Sequence, residues 1–273
     1  MVQEPKVLLE MDDTGQIATL WLNRPEKMNA LNWAIFSQLA DHLDALSFNK
    51  KVRIILLKSK AKVFSAGIDL KFLAGQDPTA PKFDFTGSPF RYGMKTTLQN
   101  IFTKIATLEI PVIAVIDGIC YGSGFELALA CDFRYATTQS TFQMKESYLG
   151  IIPDLGGSTR LSRLVNVSHT KELCLAGRLV NAIEGFRMGF LNGVANTPED
   201  LEGDVNSMVQ SLLRAAPLAV GMGKRMIDAL YTESCAEGLD REAMVNSVLI
   251  NTKDFKIGVA SFFDKEDPKW RGK

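Results

Sequence analysis

The stretch that decides the fold runs over residues 118–160 and reads GICYGSGFELALACDFRYATTQSTFQMKESYLGIIPDLGGSTR. An apolar strand ends at Gly118, and a helix begins near Ser123. Gly122 and Gly124 allow the backbone to turn sharply and to approach a ligand closely. The first amides of a helix lack intrahelical partners and lie at the positive end of its dipole, so they suit a developing negative charge. This stretch therefore predicts an anion-stabilising site at a strand-to-helix turn.

A second candidate amide lies upstream, in the segment FSAGIDL (residues 64–70). Gly67 frees the backbone there beside Ile68. Two backbone donors directed at one carbonyl oxygen form an oxyanion hole, and loss of one such donor typically costs about 3–4 kcal/mol of transition-state stabilisation. Taken alone, Gly67 is equally compatible with an ordinary tight turn.

Two other interpretations of the GSG segment compete with an anion site. GSG after a strand is typical of a dinucleotide-binding loop, but Leu127 stands where the third glycine of that motif belongs, which disfavours it. Ser123 and Glu126 also fit the capping box S-x-x-E, in which the glutamate only supports the helix. The local pattern favours this structural role and a catalytic role for Glu126 equally.

Composition narrows the classes of function. The chain has 273 residues, of which 46% are hydrophobic and 23% charged, as in ordinary globular proteins. Lys+Arg and Asp+Glu both number 31, so neither nucleic acid nor an acidic membrane surface is a predicted partner. The cysteines form no CxxC pair, which predicts reduced core cysteines and no metal site. With only 2 histidines, acid–base chemistry is expected to use carboxylates.

The order of predicted elements indicates an α/β protein. Strands at residues 17–22, 52–59 and 111–118 alternate with helices at 33–46 and 94–108. The second part of the chain is mainly helical in pattern, and we predict a core over residues 1–200 and a helical region over 201–273.

A polar loop is predicted over residues 75–93. Its aromatic residues either close over an apolar ligand tail or pack locally: Phe83, Phe85, Phe90 and Tyr92. No apolar run has the length of a membrane span, and the N-terminal MVQEPKVLLEMDD resembles neither a signal nor a transit peptide. A cytoplasmic protein is expected.

Four segments, in this order, resemble the signatures of the enoyl-CoA hydratase/isomerase (crotonase) family, and the resemblance covers nearly the whole chain. They are NRPEKMNALN, FSAGIDL, YGSGFELALACD and FQMKESYLGIIPDLGGSTRL. The resemblance implies a spiral of ββα units and a helical C-terminal region that assembles trimers or dimers of trimers. It also implies an acyl-CoA substrate and no separate cofactor, because coenzyme A is part of the substrate.

The resemblance carries over to individual residues. The amides of Ile68 and Ser123 match the oxyanion hole, although the family usually has glycine at the second position, so the serine Cβ must be accommodated. Glu126 and Glu146 match the two glutamates of the hydratases. In that mechanism Glu126 helps to activate water for attack at the β-carbon, and Glu146 delivers a proton to the α-carbon.

Asp154 keeps a second reaction open. In dienoyl-CoA isomerases, residues matching Glu146 and Asp154 shuttle a proton along the acyl chain, but those enzymes usually carry aspartate at the position of Glu126. Asp154 could instead cap the helix that follows the glycine pair. Three carboxylates close together in an apolar pocket would not all ionise easily, so at least one should have a raised pKa.

The resemblance also implies contacts with coenzyme A, two of them made to the coenzyme A of a neighbouring subunit through the C-terminal region. The candidates are Lys27, Ala66 and Lys71, which lie near the motif loops, and, for the neighbouring subunit, Phe262 and Lys265. For Lys27 and Lys71 the sequence favours an ordinary solvated surface charge over a contact with phosphate. The expected function is hydration of a trans-2-enoyl-CoA in fatty acid degradation. A dienoyl-CoA isomerase, a hydrolase or dehalogenase of the same fold, and a catalytically silent binding protein are the alternatives.

Overall fold

The computed structural model describes residues 4–82 and 86–273, and its centre is a largely parallel β-sheet. The strands are β1 Val7–Met11, β2 Ile17–Leu22, β3 Ile54–Ser59, β4 Val112–Ile116, β5 Ile119–Tyr121, β6 Phe133–Thr137, β7 Thr141–Gln143, β8 Val180–Asn181 and β9 Gly193–Ala195. The large sheet has the order β1-β2-β3-β4-β6-β9. Its β1–β2 pair is antiparallel and its other pairs are parallel.

A smaller sheet, with the order β5-β7-β8, lies beside the large one. Strands β4 and β5 follow each other in the chain but belong to different sheets, and β6 and β7 repeat this arrangement. The first change of sheet occurs at Gly118, which has φ +76° and where a Cβ would lie 2.7 Å from the carbonyl oxygen of Lys62. Glycine is therefore required at this corner.

The helices cover the sheets and make up most of the second part of the chain. They are α1 Trp33–Ser47, α2 Leu70–Leu73, α3 Gly87–Gly93, α4 Gln99–Thr107, α5 Ser123–Ala130, α6 Gly157–Leu164, α7 Val167–Ala176, α8 Ala182–Met188, α9 Pro198–Arg214, α10 Pro217–Leu230, α11 Cys235–Leu249 and α12 Lys253–Asp264. Short 3₁₀ turns occur at Pro25–Lys27 and Glu146–Leu149, and a π-helical turn at Met94–Leu98. The α/β prediction is confirmed.

The main hydrophobic core surrounds helix α5, all of whose residues are buried. Phe125 of α5 packs on Phe142 and Phe190, with ring centroids 5.2 and 5.1 Å away. Aromatic pairs at this separation stabilise a core beyond the area that they bury. The start of α5 is consequently held in a fixed place by the packing of its own side chains.

A second core lies on the other face of the large sheet, under helix α9. Leu201, Val205 and Val209 of α9 are buried against residues of β4 and β6. Helix α9 therefore shares a core with the sheet. The predicted division at residue 200 falls in the first turn of this helix. The division itself stays a prediction.

The predicted loop over residues 75–93 is wrong at its C-terminal end, where helix α3 occupies Gly87–Gly93. Pro89 and the flanking glycines favoured a loop in the sequence, but proline is well tolerated in the first turn of a helix. Phe90 and Tyr92 therefore lie on a helix. Phe83 and Phe85 lie outside the described residues.

Replacement of Leu201 by alanine tests whether α9 belongs to the same cooperative unit as the sheet. Because Leu201 is buried on the sheet, Leu201→Ala should lower the free energy of unfolding by about 2–5 kcal/mol in one transition. Denaturant unfolding followed by circular dichroism measures this. Ser207→Ala, an exposed site on the same helix, should change it by less than about 0.5 kcal/mol. A separate early transition for the C-terminal helices would contradict the prediction.

Candidate active site

The backbone around Ile68 is ordered by a short parallel bridge to Leu31. The N–H of Leu31 donates to the carbonyl oxygen of Gly67 at 2.7 Å, and the N–H of Asp69 donates to the carbonyl oxygen of Leu31 at 2.8 Å. Successive amides of an extended chain point to opposite sides. The N–H of Ile68 therefore points away from Leu31.

The loop that carries Leu31 is itself held by buried polar contacts. Asn29 is fully buried with φ 51°, and its side-chain amide donates to Ser59 Oγ at 2.7 Å and to the Phe64 carbonyl at 3.1 Å. Arg24 forms a half-buried ion pair with Asp69, at 2.5 Å between Nη1 and Oδ2. These bonds join the NRPEKMNALN and FSAGIDL segments into one support for the Ile68 amide.

The second predicted amide lies at the start of helix α5. Gly122 precedes the helix with φ 49° and ψ −128°, a conformation that is costly for residues other than glycine. A Cβ on Gly67 would lie 3.0 Å from the Tyr121 carbonyl oxygen and 3.6 Å from the Ser123 nitrogen. The two predicted donor segments are therefore in direct contact.

Neither predicted donor amide has an internal partner. Over residues 4–82 and 86–273, the N–H groups of Ile68 and Ser123 donate no hydrogen bond. The Ser123 side chain is buried, and its Cβ is accommodated. Ser123 is buried and Ile68 is half-buried, and backbone donors removed from water are almost always bonded. Two free ones in contacting segments are therefore suited to an acceptor from a ligand.

Glu126 lies one turn into α5 and is completely buried. Its Oε1 accepts hydrogen bonds from the amides of Leu155 at 2.9 Å and Gly157 at 2.8 Å, whereas Oε2 is buried and without a partner in the described chain. Burial raises its pKa to about 8, and the charges of Glu146 and Asp154 act in the same direction. The two amide bonds oppose this rise.

The capping-box interpretation of Ser123 and Glu126 is wrong. The residue that caps α5 is Gly122, and no side chain caps this helix. Ser123 is already the first helical residue, and the Glu126 side chain turns instead towards residues 155–157. A capping box would require Ser123 to be the N-cap of α5. The N-cap is instead Gly122, one residue earlier.

Glu146 begins the 3₁₀ turn Glu146–Leu149 and is 5% exposed. A Cβ on Gly122 would lie 2.8 Å from Glu146 Oε1, so this carboxylate lies directly against the residue that precedes α5. Its Oε2 is buried and has no partner among the described residues. Burial raises the pKa of Glu146, and the charge of Asp154 adds to the rise.

Asp154 joins the two glutamates to form a group of three interacting carboxyls. Burial raises its pKa, and its charge raises the pKa of both Glu126 and Glu146. The alternative role as a helix cap is wrong, because Gly156, with φ +107°, precedes α6 and no side chain caps that helix. Asp154 also lines a cavity of about 870 Å³ that Glu126 and Glu146 do not line.

The predicted coenzyme A contacts lie at two separate places. Lys27 lies in NRPEKMNALN, Ala66 lies in FSAGIDL, and Lys71 lies in helix α2 directly after FSAGIDL; both lysines are exposed. Phe262 is 81% exposed on α12, and Lys265 follows that helix with φ 57°. The first three thus lie in or next to the segments that support the Ile68 amide, and the last two lie at the C-terminal region. Their contact with coenzyme A stays a prediction.

The contribution of residues 155–157 to the site was missed in the sequence. A Cβ on Gly157 would lie 2.9 Å from Glu126 Oε1, so a glycine is needed for its amide to reach the carboxylate. The signal was present in the glycine pair that directly follows Asp154 and Leu155. It could not be interpreted without knowing that this turn faces α5.

The chain is similar to known proteins over most of its length. A sequence model described as Enoyl-CoA hydratase/isomerase matches residues 12–273. The chain belongs to the enoyl-CoA hydratase/isomerase family. It is 34% identical over 265 residues to the probable mitochondrial enoyl-CoA hydratase 2 of Arabidopsis thaliana, covering 97% of this chain and 84% of that protein.

Two further relatives support membership of this family. The crotonyl-CoA hydratase of Syntrophomonas wolfei is 32% identical over 261 residues, covering 95% of each chain. The crystal structure of an enoyl-CoA hydratase from Bacillus anthracis has a TM-score of 0.88 at 29% identity, and the match covers 98% of this chain and 100% of that one. The predicted crotonase-type α/β fold is confirmed.

Other expectations from the sequence are less directly addressed. In the part of the chain that the structure describes, no helix combines the length and apolarity of a membrane span. The Arabidopsis relative is named as mitochondrial, and cytoplasmic localisation stays a prediction for this family member. The four cysteines are free, and Cys235 is exposed whereas the others are buried.

The raised pKa of Glu126 predicts a specific pH dependence of stability. Its pKa rises from an ordinary 4.5 to about 8 in the folded state, so between these values the folded chain holds a proton that the unfolded chain has lost. Wild-type stability should therefore fall as pH rises through this window. Glu126→Gln keeps an oxygen acceptor for both amides but does not ionise. The variant should gain on the order of 3 kcal/mol relative to wild type between pH 5 and pH 8.5.

Denaturant unfolding of both proteins at the two pH values measures this gain. Glu242→Gln, an exposed glutamate on α11, is the matched control and should follow wild type. A stability difference between Glu126→Gln and wild type that is the same at both pH values would contradict the assignment of a buried protonated carboxyl.

Proposed function

We propose that this enzyme adds water reversibly across the double bond of a trans-2-enoyl-CoA thioester. The observation that carries the proposal is the pair of buried, unpartnered Oε2 atoms of Glu126 and Glu146, beside two amides that donate to nothing in the described chain. A buried acceptor and a buried donor without partners are both costly. Both costs are removed when a polar substrate and one water occupy the site.

The two free amides supply the electrostatic part of catalysis. In the proposal, the thioester oxygen accepts hydrogen bonds from the N–H groups of Ile68 and Ser123. As the thioester becomes an enolate, negative charge develops on that oxygen, and the positive end of the α5 dipole stabilises it further. Because both donors are held by the backbone, they need no rearrangement when the charge forms.

The carboxyls supply the proton transfers. Glu126 and Glu146 repel each other's charge in a buried site, so the pair is expected to hold one proton between them near neutral pH. In the free protein this proton lies on Glu126, whose pKa is raised to about 8. In the reactive form it lies on Glu146, and the two amide bonds at Glu126 Oε1 stabilise the carboxylate that then accepts a proton from the attacking water. Glu146 then delivers a proton to the α-carbon, so that water adds as a proton and a hydroxide.

The relatives support the choice of substrate class, since their names include enoyl-CoA hydratase and crotonyl-CoA hydratase. We extend this to a role in fatty acid degradation. The reaction needs no separate cofactor, because water is the nucleophile and coenzyme A belongs to the substrate. Lys27, Ala66 and Lys71 lie in or directly after the segments that support the Ile68 amide, and we propose that they contact coenzyme A.

Self-association as a trimer or a dimer of trimers is part of the proposal. Large apolar side chains of the C-terminal helices are strongly exposed, including Met244 at 71%, Phe262 at 81% and Phe263 at 77%. Exposed apolar groups of this kind are typical of contact surfaces between proteins. In such an assembly, Phe262 and Lys265 would reach the coenzyme A of a neighbouring subunit.

A dienoyl-CoA isomerase is the second candidate, and the position of Asp154 favours it. Its carboxyl interacts with that of Glu146 and also lines the adjacent cavity. A proton could therefore move between Glu146 and Asp154 along an extended acyl chain. In this reaction Glu126 would not transfer a proton.

Substitution of the three carboxyls separates the two reactions. Under hydration, Glu126→Gln and Glu146→Gln should each lower kcat by about 10²–10⁴-fold, whereas Asp154→Asn should have a much smaller effect. Under isomerisation, the effects at Glu126 and Asp154 should be reversed.

The assay uses crotonyl-CoA, a longer trans-2-enoyl-CoA and a dienoyl-CoA. Loss of enoyl absorbance reports hydration, and gain of conjugated diene absorbance reports isomerisation. Binding of coenzyme A thioesters without turnover would instead indicate a silent binding protein.

Replacement of Gly67 by alanine tests the oxyanion hole. The new Cβ would lie between the two donor segments, 3.0 Å from the Tyr121 carbonyl, at a φ of +105° that alanine disfavours. Gly67→Ala should therefore lower kcat by about 10²–10³-fold, as measured by initial rates of hydration. Gly203→Ala on α9, where no atom lies within 4 Å of the added Cβ, is the control. Full activity of Gly67→Ala would remove Ile68 from the proposed mechanism.

A further inference from the structure

Arg160 of helix α6 lies directly against the turn at residues 155–157. Its Nη1 donates to the carbonyl oxygen of Leu155 at 2.8 Å. A Cβ on Gly156 would lie only 2.0 Å from the same nitrogen. The guanidinium therefore packs against the backbone of this turn, in space that a Cβ at position 156 would occupy.

The same turn holds Glu126 from its other side. The N–H groups of Leu155 and Gly157 both donate to Glu126 Oε1. Leu155 is thus bonded at both of its peptide groups, to Arg160 through its carbonyl and to Glu126 through its amide. A displacement of the guanidinium would be transmitted to the carboxylate through a single residue.

We propose that Arg160 is a positioning residue, which holds the turn at residues 155–157 so that Glu126 presents its free Oε2 to the substrate. This proposal rests on the proposed function, because it takes hydration of an enoyl-CoA as the reaction. Because Arg160 does not reach the reacting atoms in this scheme, it acts entirely through the Leu155 and Gly157 amides. A positioning error of about 1 Å at a catalytic group can cost 10²-fold in rate.

Arg160 also contributes charge behind Glu126. The groups that face Glu126 are Glu146 on its 3₁₀ turn, Asp154 on the preceding loop, Arg160 on α6 and Cys174 on α7. The other three are neutral when protonated and negative when ionised, whereas the guanidinium is positive. Its removal should therefore destabilise the ionised form of Glu126 and raise the pKa of that carboxyl further.

On its other side, Arg160 faces Arg163 and Asp228. Arg163 is exposed and its guanidinium lies over the ring of Tyr231, 5.5 Å from the centroid. It has the same charge as Arg160, lies one turn further along α6 and is not bonded to the turn that holds Glu126. Arg163→Met is therefore a matched control for Arg160→Met.

Steady-state kinetics of hydration over a range of pH test the proposal. Arg160→Met should lower kcat by about 10²-fold with little change in KM, and should move the pH limb that reports ionisation of Glu126 to higher pH. Arg160→Lys keeps the charge but not the planar geometry, so it should restore the pH limb and only part of kcat. Arg163→Met should match wild type in both respects. An unchanged pH limb and kcat in a folded Arg160→Met would overturn the proposal.

An infrared titration separates this proposal from the proposed function. The carbonyl stretch of protonated Glu126 is identified by its loss in Glu126→Gln, and its titration needs no substrate. It should move to higher pH in Arg160→Met and stay in place in Arg163→Met, even if wild type turns over none of the thioesters. If Arg160→Met does not fold, Arg160→Lys decides: a kcat equal to that of wild type would overturn the positioning role.

Discussion

The pairing of Leu31 with both Gly67 and Asp69 is the interaction on which the site depends. It satisfies the backbone on either side of Ile68 and therefore leaves the Ile68 amide directed away from Leu31. Gly122 likewise leaves the Ser123 amide free. Its positive φ starts helix α5 at Ser123, and the first amides of a helix have no intrahelical acceptor. The fold thus keeps two donors free by bonding their neighbours.

Two opposing effects act on the ionisation of the carboxyls. Burial and mutual repulsion favour their neutral forms, whereas the two amides at Glu126 Oε1 favour the ionised form. The result is a carboxyl whose two oxygens have different tasks. Oε1 is fixed to the turn at residues 155–157, and Oε2 has no partner in the described structure. The Glu126 carboxyl is therefore held in place through Oε1, and the lone pairs of Oε2 stay available to a ligand.

Several features were predictable because they depend only on short-range pattern. The strand Ile17–Leu22 and the helix Trp33–Ser47 agree with the expected segments, since hydrophobic periodicity reports which face is buried. The helix at Gly87–Gly93 was missed because proline and glycine are typical of both loops and first turns of helices. Local composition could not distinguish the two.

The sequence by itself determined the α/β class, the family and the residue types from which the site is built. Only the tertiary structure decided whether Glu126 belongs to a capping box and whether Asp154 caps a helix. The first depends on which distant backbone amides reach the Glu126 carboxyl, and the second on Gly156, which occupies the position before α6. Glu126 is bonded to residues 29 and 31 positions away, and such contacts are made by packing between elements rather than by any pattern along the chain.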